Sequence, residues 1–151
     1  RNKEIYICIG LPRSGKTTWI EKNMYNHVII SADRLRQRIY GQRFYKEGED
    51  MVWAIRKFYI KDLLDQDLNI VIDETNTMKK RRNPIIKLAN EYDYKIIGVH
   101  FKTSKEECIK RCADISKEEK KMMKPIINRM DKQFEEPEME EGFDELIEIG
   151  G

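Results

Sequence analysis

No apolar run in this chain approaches the ~20 residues of a membrane-spanning helix, which excludes a helical membrane protein. There is no internal repeat, low-complexity tract or Pro/Gly/Ser-rich linker, so a solenoid or a string of tethered modules is excluded too. The opening Arg1-Asn2-Lys3-Glu4 has neither a hydrophobic signal segment nor an initiating Met, as expected of a processed chain or a domain cut from something longer. Cysteine is scarce, with 3 in all. An odd, small number argues against a disulfide scaffold and for a reducing, cytoplasmic setting. Cys8 falls in an apolar run and reads as core. Cys108 and Cys112 are spaced i,i+4 on a predicted helix, as half of a metal site or as two buried helix positions; with no second His or Cys pair, burial is the better reading.

Basic residues are missing from the C-terminal segment. From Phe134 onward there are eight acids and no Lys or Arg, so residues 1–133 hold all 29 basic residues against 27 − 8 = 19 acids, a net of +10. That balance suits a polyanionic partner, or else an ordinary solvated surface followed by an acidic tail. At 151 residues, 40% apolar and 37% charged, one soluble domain spanning 1–151 is expected. A chain of this length buries roughly 68–70% of its unfolded surface.

The most informative stretch is Gly10-Leu11-Pro12-Arg13-Ser14-Gly15-Lys16-Thr17, which follows apolar Ile5, Ile7, Cys8 and Ile9 and opens a helical segment. Two glycines let the backbone curl so that successive N–H groups face one concavity, which holds a phosphate with help from the positive end of the next helix. In such a loop the lysine reaches the β- and γ-phosphates and the Thr hydroxyl ligates Mg²⁺. A nucleoside triphosphate, ATP or another, is therefore expected with Mg²⁺.

Strand-like runs cover Glu4–Ile9, His27–Ile30, Asn69–Ile72, Lys95–Phe101 and Leu146–Ile149. Helical stretches cover Lys16–Met24, Asp33–Ile39, Glu49–Leu64, Lys79–Tyr92, Ser104–Arg111 and Met122–Phe134. In the third of these, Val52, Ile55, Tyr59 and Leu63 form the expected apolar stripe. Nearly continuous aliphatic strands alternating with helices predict a three-layer α/β/α fold with a mostly parallel sheet of about five strands and a small helical lid. Ligands in such sheets bind beyond the carboxyl ends of the strands.

After the second strand comes Ser31-Ala32-Asp33-Arg34-Leu35-Arg36. Ser31 or Asp33 can cap the helix. Asp33 and Arg36 also lie one turn apart, where a carboxylate can accept the proton of an attacking hydroxyl and an arginine can bind an acceptor phosphate. After the third strand comes Asp73-Glu74-Thr75-Asn76, then Lys79-Lys80-Arg81-Arg82. Strand alternation aims Asp73 and Glu74 differently, and Asp73 fits a supporting role at Mg²⁺. Thr75 and Asn76 are turn residues suited to capping the helix near Met78. The basic run is either a solvated face or a phosphate-binding one. Arg38 to Lys46 interleaves bases and aromatics, which suits stacking of a terminal base or packing at a helix end.

Together these residues resemble the P-loop 5′-hydroxyl polynucleotide kinases of phages and bacteria. The family's phosphate loop is similar to Ile9 to Trp19, including Pro12 and Trp19; its Asp-x-x-Arg resembles Asp33 to Arg36. Its acid-x-Thr-Asn segment and Arg pair resemble Asp73 to Asn76 and Arg81-Arg82, and its closing section resembles Pro125 to Met130, then Phe134 to Pro137 and Glu141 to Asp144. The resemblance implies nucleotide binding by Gly10, Pro12, Arg13, Ser14, Gly15, Lys16, Thr17 and Thr18, with Mg²⁺ at Thr17 and Asp73. It further implies catalysis by Asp33 as general base with Lys16 and Arg111, and acceptor binding by Arg36, Thr75, Asn76, Arg81 and Arg82. The family's lid carries a second arginine about four residues after Lys-Arg-Asn. Here Lys110-Arg111-Cys112 leads to Ala113-Asp114-Ile115, leaving Arg111 alone or Lys117, Lys120 or Lys121 for that place.

The reading that follows is transfer of the γ-phosphoryl of ATP or another NTP to 5′-OH ends of RNA or DNA. The partners expected are nucleic-acid ends in RNA or DNA repair and a neighbouring phosphatase, phosphodiesterase or ligase domain, with no membrane. A kinase of a small metabolite, nucleoside or aminoacyl-tRNA would use the same loop with another acceptor pocket. A nucleotide-binding module without catalysis is the remaining reading, disfavoured because it has no need of Asp33 beside Arg36.

Overall fold

A computed structural model describes residues 3–150. Its centre is a five-stranded, wholly parallel sheet in the order β2-β3-β1-β4-β5. The strands are β1 (Glu4–Ile9), β2 (Val28–Ile30), β3 (Ile70–Ile72), β4 (Lys95–Phe101) and β5 (Glu145–Ile149). In β1 and β3 the Ile and Val side chains are fully buried, as expected of strands covered on both faces.

Helices α3 (Glu49–Asp65) and α4 (Lys79–Glu91) lie over one face. Ile60, Leu63, Leu64, Ile85, Ile86 and Ala89 there join Ile5, Ile7, Ile70 and Ile72 in the main core. Helix α1 (Lys16–Asn23) covers the other face, where Ile20, with half-buried Trp19, meets Cys8, Val71, Val99 and Phe101. Helix α2 (Ala32–Tyr40) projects from the end of β2; Ser31 caps it by accepting from the Arg34 N–H at 3.3 Å.

The lid comprises α5 (Lys105–Lys110), a 3-10 turn over Arg111–Asp114, and α6 (Lys117–Gln133). It has its own small core of Cys108, Cys112 and Ile127, into which the phosphate-loop residue Leu11 inserts. All three cysteines are buried and free, and burial pushes the Cys8 and Cys108 thiols up.

Two expectations are corrected. Helix α6 begins five residues before Met122, because Ser116 caps it and Glu118 and Glu119 occupy its first turn; the all-charged opening turn carries no apolar period. The buried stripe of α3 is Val52, Ile60, Leu63 and Leu64, with Ile55 only half-buried and Tyr59 exposed. Arg56 sits on that stripe, one turn from Val52 and one from Ile60. Among the described residues no helix is long and apolar enough to cross a membrane.

Candidate active site

The carboxyl edge of the sheet gathers the loops that follow β1, β2, β3 and β4. Gly10 begins the phosphate loop. Its N–H donates to the Thr75 carbonyl at 2.9 Å, and a Cβ there would meet Ser14 Oγ at 2.7 Å and Phe101 Cβ at 3.0 Å. Gly15 closes the loop at φ 102°, a left-handed conformation costly for any side chain. Ser14 is buried, and Thr103 after β4 donates to its carbonyl at 2.9 Å. Lys16 folds back into the loop and donates to the carbonyls of Gly10 and Leu11 at 3.1 and 2.7 Å and to Ser14 Oγ at 3.3 Å. Burial lowers the Lys16 pKa, while the nearby charges of Asp73 and Asp33 act to raise it. A buried ammonium satisfied by loop carbonyls can turn to a phosphate oxygen without leaving its cavity.

Thr17 and Thr18 are exposed in the first turn of α1, and Pro12 is half-buried in the loop. Thr17 Oγ1 donates to Asp73 Oδ2 at 3.0 Å. That hydroxyl–carboxylate pair at the mouth of the loop is the donor set a hard cation takes when phosphates and waters supply its other ligands. Among the described residues no three His, Cys, Asp or Glu side chains gather as a metal cage. Thr17 and Asp73 therefore fit Mg²⁺ bound together with a nucleotide.

The Arg13 side chain, in the loop, is turned to the lid. At φ 68° it donates from Nη2 to the Arg111 carbonyl at 3.0 Å and to Asp114 at 2.5 Å. Arg111 lies against the loop: its Nη1 is 3.4 Å from the position of a Gly15 Cβ and 3.4 Å from the Arg13 carbonyl, and its Nε donates to Glu107 at 3.1 Å. Lys117, Lys120 and Lys121 are exposed on α6.

Beyond the loop, β2 and α2 deliver Asp33 with its side chain 83% exposed. Arg36 donates to it from Nη1 at 2.7 Å. The other edge of the Arg36 fork is held by Glu49, through Nε at 2.9 Å and Nη2 at 2.8 Å; Trp53 Nε1 adds a 3.3 Å bond to the same carboxylate. The Glu49 bonds raise the Arg36 pKa and hold Glu49 below the usual carboxylate range. Glu74 turns away from Asp73 and takes a second fork, Arg56 Nε at 2.8 Å and Nη2 at 2.6 Å, with the Ala32 N–H at 3.0 Å. The guanidiniums of Arg36, Arg56 and Arg81 lie 5.8, 4.9 and 5.8 Å from the Trp53 ring centroid.

Glu49, Trp53, Arg56 and Glu74 escaped sequence reasoning. The available signal was Arg56, a charge on an otherwise apolar helical stripe. Asn76 and Arg82 are buried and engaged within the protein. Asn76 donates to the Cys8 carbonyl at 2.9 Å, and Arg82 binds Glu141 and backbone carbonyls. Neither Thr75 nor Asn76 caps α4, whose N-terminal position is Met78 with no side-chain cap. Arg81 is exposed.

A phosphate loop at the head of a parallel sheet, with an aspartate–arginine pair at the neighbouring strand tip and a helical lid, defines a P-loop kinase fold. The chain belongs to the AAA domain family, whose model matches residues 5–137. It is similar to the L-seryl-tRNA(Sec) kinase of Methanococcus maripaludis, 25% identical over 142 residues, covering 88% of this chain and 53% of that protein. It is also similar to the bifunctional polynucleotide phosphatase/kinase of Schizosaccharomyces pombe, 26% identical over 152 residues, covering 98% of this chain and 34% of that protein. Among solved structures, a chain of the Pnkp1/Rnl/Hen1 RNA repair complex superposes with a TM-score of 0.65 at 21% identity, covering 88% of this chain and 46% of the other. The chain thus spans about half, or less, of the length of these relatives.

Proposed function

We propose that this chain transfers the γ-phosphoryl of ATP, or of another NTP, to the 5′-hydroxyl of a polynucleotide end, with Asp33 as general base. The observation that carries this is the Asp33–Arg36–Glu49 chain. Glu49 neutralises and orients Arg36, so that one edge of its fork faces an exposed carboxylate beside the phosphate loop. Nucleotide binding alone has no use for such a carboxylate, whereas hydroxyl activation requires one.

In the reaction the acceptor oxygen attacks the γ-phosphorus, the bond to the β–γ bridging oxygen breaks, and the hydroxyl proton passes to Asp33. Loop N–H groups and Lys16 stabilise the spread negative charge, and Arg111, packed against the loop at Gly15, is assigned to the transferring group. Thr17 and Asp73 would hold Mg²⁺, which would supply neutralisation of the phosphate charge. Arg81, exposed and with no carboxylate partner among the described residues, is the cation free to meet acceptor phosphates, while Arg36, held by Glu49 and Asp33, positions the base.

The similarity to the fission-yeast enzyme supports a polynucleotide acceptor, and the similarity to the archaeal enzyme favours a second reading, an aminoacyl-tRNA hydroxyl. Companion end-repair or ligase domains, and a role in RNA or DNA repair, are part of the proposal. The test offers radiolabelled ATP/Mg²⁺ with 5′-OH RNA, 5′-OH DNA and seryl-tRNA as separate acceptors. Label on an oligonucleotide 5′ end is the expected result; label on seryl-tRNA alone would transfer the mechanism to the second acceptor.

A further inference from the structure

Helices α3 and α4 both start at the carboxyl edge of the sheet and run down its flank, leaving between them a groove of about 490 Å³. Trp53 stands at its mouth, beside the Asp33–Arg36 cluster. Its floor is apolar, with Ile60 and Ile85 buried and Leu88 half-buried. Its rims carry exposed Lys57 and Lys61 on α3 and exposed Lys87 on α4. Among the described residues these three ammonium groups have no ion pair, and Arg56 is already matched by Glu74. One unmatched acid, Glu91, lines the far end.

We propose that this groove binds the nucleotides immediately downstream of the 5′ end of a single-stranded nucleic acid, so that its phosphates meet the three lysines and its bases lie on the apolar floor. The proposal rests on the kinase reading above only for its direction, 5′ end at Asp33. An apolar strip edged by unmatched cations is complementary to a polymer that alternates flat bases with anionic phosphates. Lys57 and Lys61 are one helical turn apart, about 6 Å along the axis, a spacing close to that of successive phosphates in an extended strand. Of the three arginines around Trp53, Arg36 and Arg56 are locked to carboxylates. Arg81 has no carboxylate partner among the described residues, so it can leave the ring to an incoming base and follow the phosphate.

The test is binding without ATP, read by fluorescence anisotropy with a 5′-OH dinucleotide and a strand of ~12 nucleotides, in RNA and DNA form, over a salt series. The longer strand should bind at least tenfold more tightly than the dinucleotide. Lys57→Ala/Lys61→Ala/Lys87→Ala should weaken it about tenfold and reduce the slope of log affinity against log salt by about 2, at ~0.7 for each phosphate no longer neutralised. Glu91→Lys should tighten binding and steepen the slope, a gain that misfolding cannot produce. Equal affinity for both lengths, or an unchanged slope in the triple variant, would overturn the groove assignment even if the kinase reaction is found. Tighter binding of a duplex or a folded tRNA through the same lysines would overturn the single-strand assignment. Length-dependent binding through the lysines with no transfer to any 5′-OH would support the groove while overturning the kinase reading.

Discussion

Replacing Arg82 should unfold the edge of the site without touching its chemistry. The Arg82 side chain has 0% exposure and spends its fork on Glu141, at 2.8 and 3.0 Å, on the Asn76 carbonyl at 2.8 Å and on the Glu135 carbonyl at 3.1 Å. Glu141 is itself only 10% exposed. Arg82→Ala leaves that carboxylate and the carbonyls without their donor, and removing one partner of a buried pair costs about 3–5 kcal/mol. At about 2–4 °C per kcal/mol for a chain of this size, the melting temperature should fall by about 6–20 °C. Arg82→Lys keeps the charge and loses the fork, so an intermediate fall is expected. Arg82→Ala/Glu141→Ala should be less destabilised than the two single changes summed, because the second removes the stranded carboxylate. Exposed Arg81→Ala should shift the melt by under about 0.5 kcal/mol. The assay is thermal unfolding, paired with acceptor KM on the folded protein at low temperature. An Arg82→Ala protein that melts with the wild type but shows a raised acceptor KM would instead assign Arg82 to acceptor binding.

Three other outcomes are expected. Arg36→Ala and Glu49→Gln should each lower kcat/KM for the acceptor while sparing the KM for ATP, and the double variant should lose little more than Arg36→Ala alone; strictly additive losses would mean that Glu49 does not act through Arg36. Gly10→Ala forces a Cβ to within 2.7 Å of Ser14 Oγ. It should destabilise the fold by about 1–3 kcal/mol, the usual range for overpacking, and weaken ADP binding by calorimetry through the displaced Ser14. His100 is buried against Phe134, its ring centroid 5.2 Å away, and faces Glu136, Glu148, Lys102 and Arg82. Burial holds its pKa below the ordinary 6.5, so below that pH the unfolded chain takes up a proton that the folded chain refuses. Melting temperature should therefore drop from pH 7 to pH 5, and less so in His100→Gln.

Five parallel strands and the phosphate loop were legible in the sequence because both have local signatures, aliphatic runs for strands and a fixed glycine spacing for the loop. Strand bounds differ by one residue at β2, β3 and β5. The start of α6 was not legible, since charged residues at 117–121 carry no period, although Ser116 with Glu119 spells a cap. The long-range partners were the least legible. Glu49 meets Arg36 13 positions away, Glu74 meets Arg56 18 away, and Glu141 meets Arg82 59 away. A local pattern marks a charged residue but not whether a partner buries it, which is why Arg81 and Arg82, adjacent in sequence, occupy opposite environments. The Arg13–Asp114 pair was illegible for the same reason: it spans 101 positions and is brought together by a lid whose packing includes Leu11.

On the proposed mechanism Asp33 accepts the proton of an attacking 5′-hydroxyl. The most direct measurement is single-turnover transfer from radiolabelled ATP/Mg²⁺ to a 5′-OH oligonucleotide by the wild type and by Asp33→Asn, together with ATP affinity for both. Transfer should be slowed by about 10²–10⁴-fold in the variant, the range of general-base contributions, with ATP affinity retained. Transfer at the wild-type rate by Asp33→Asn would contradict that role.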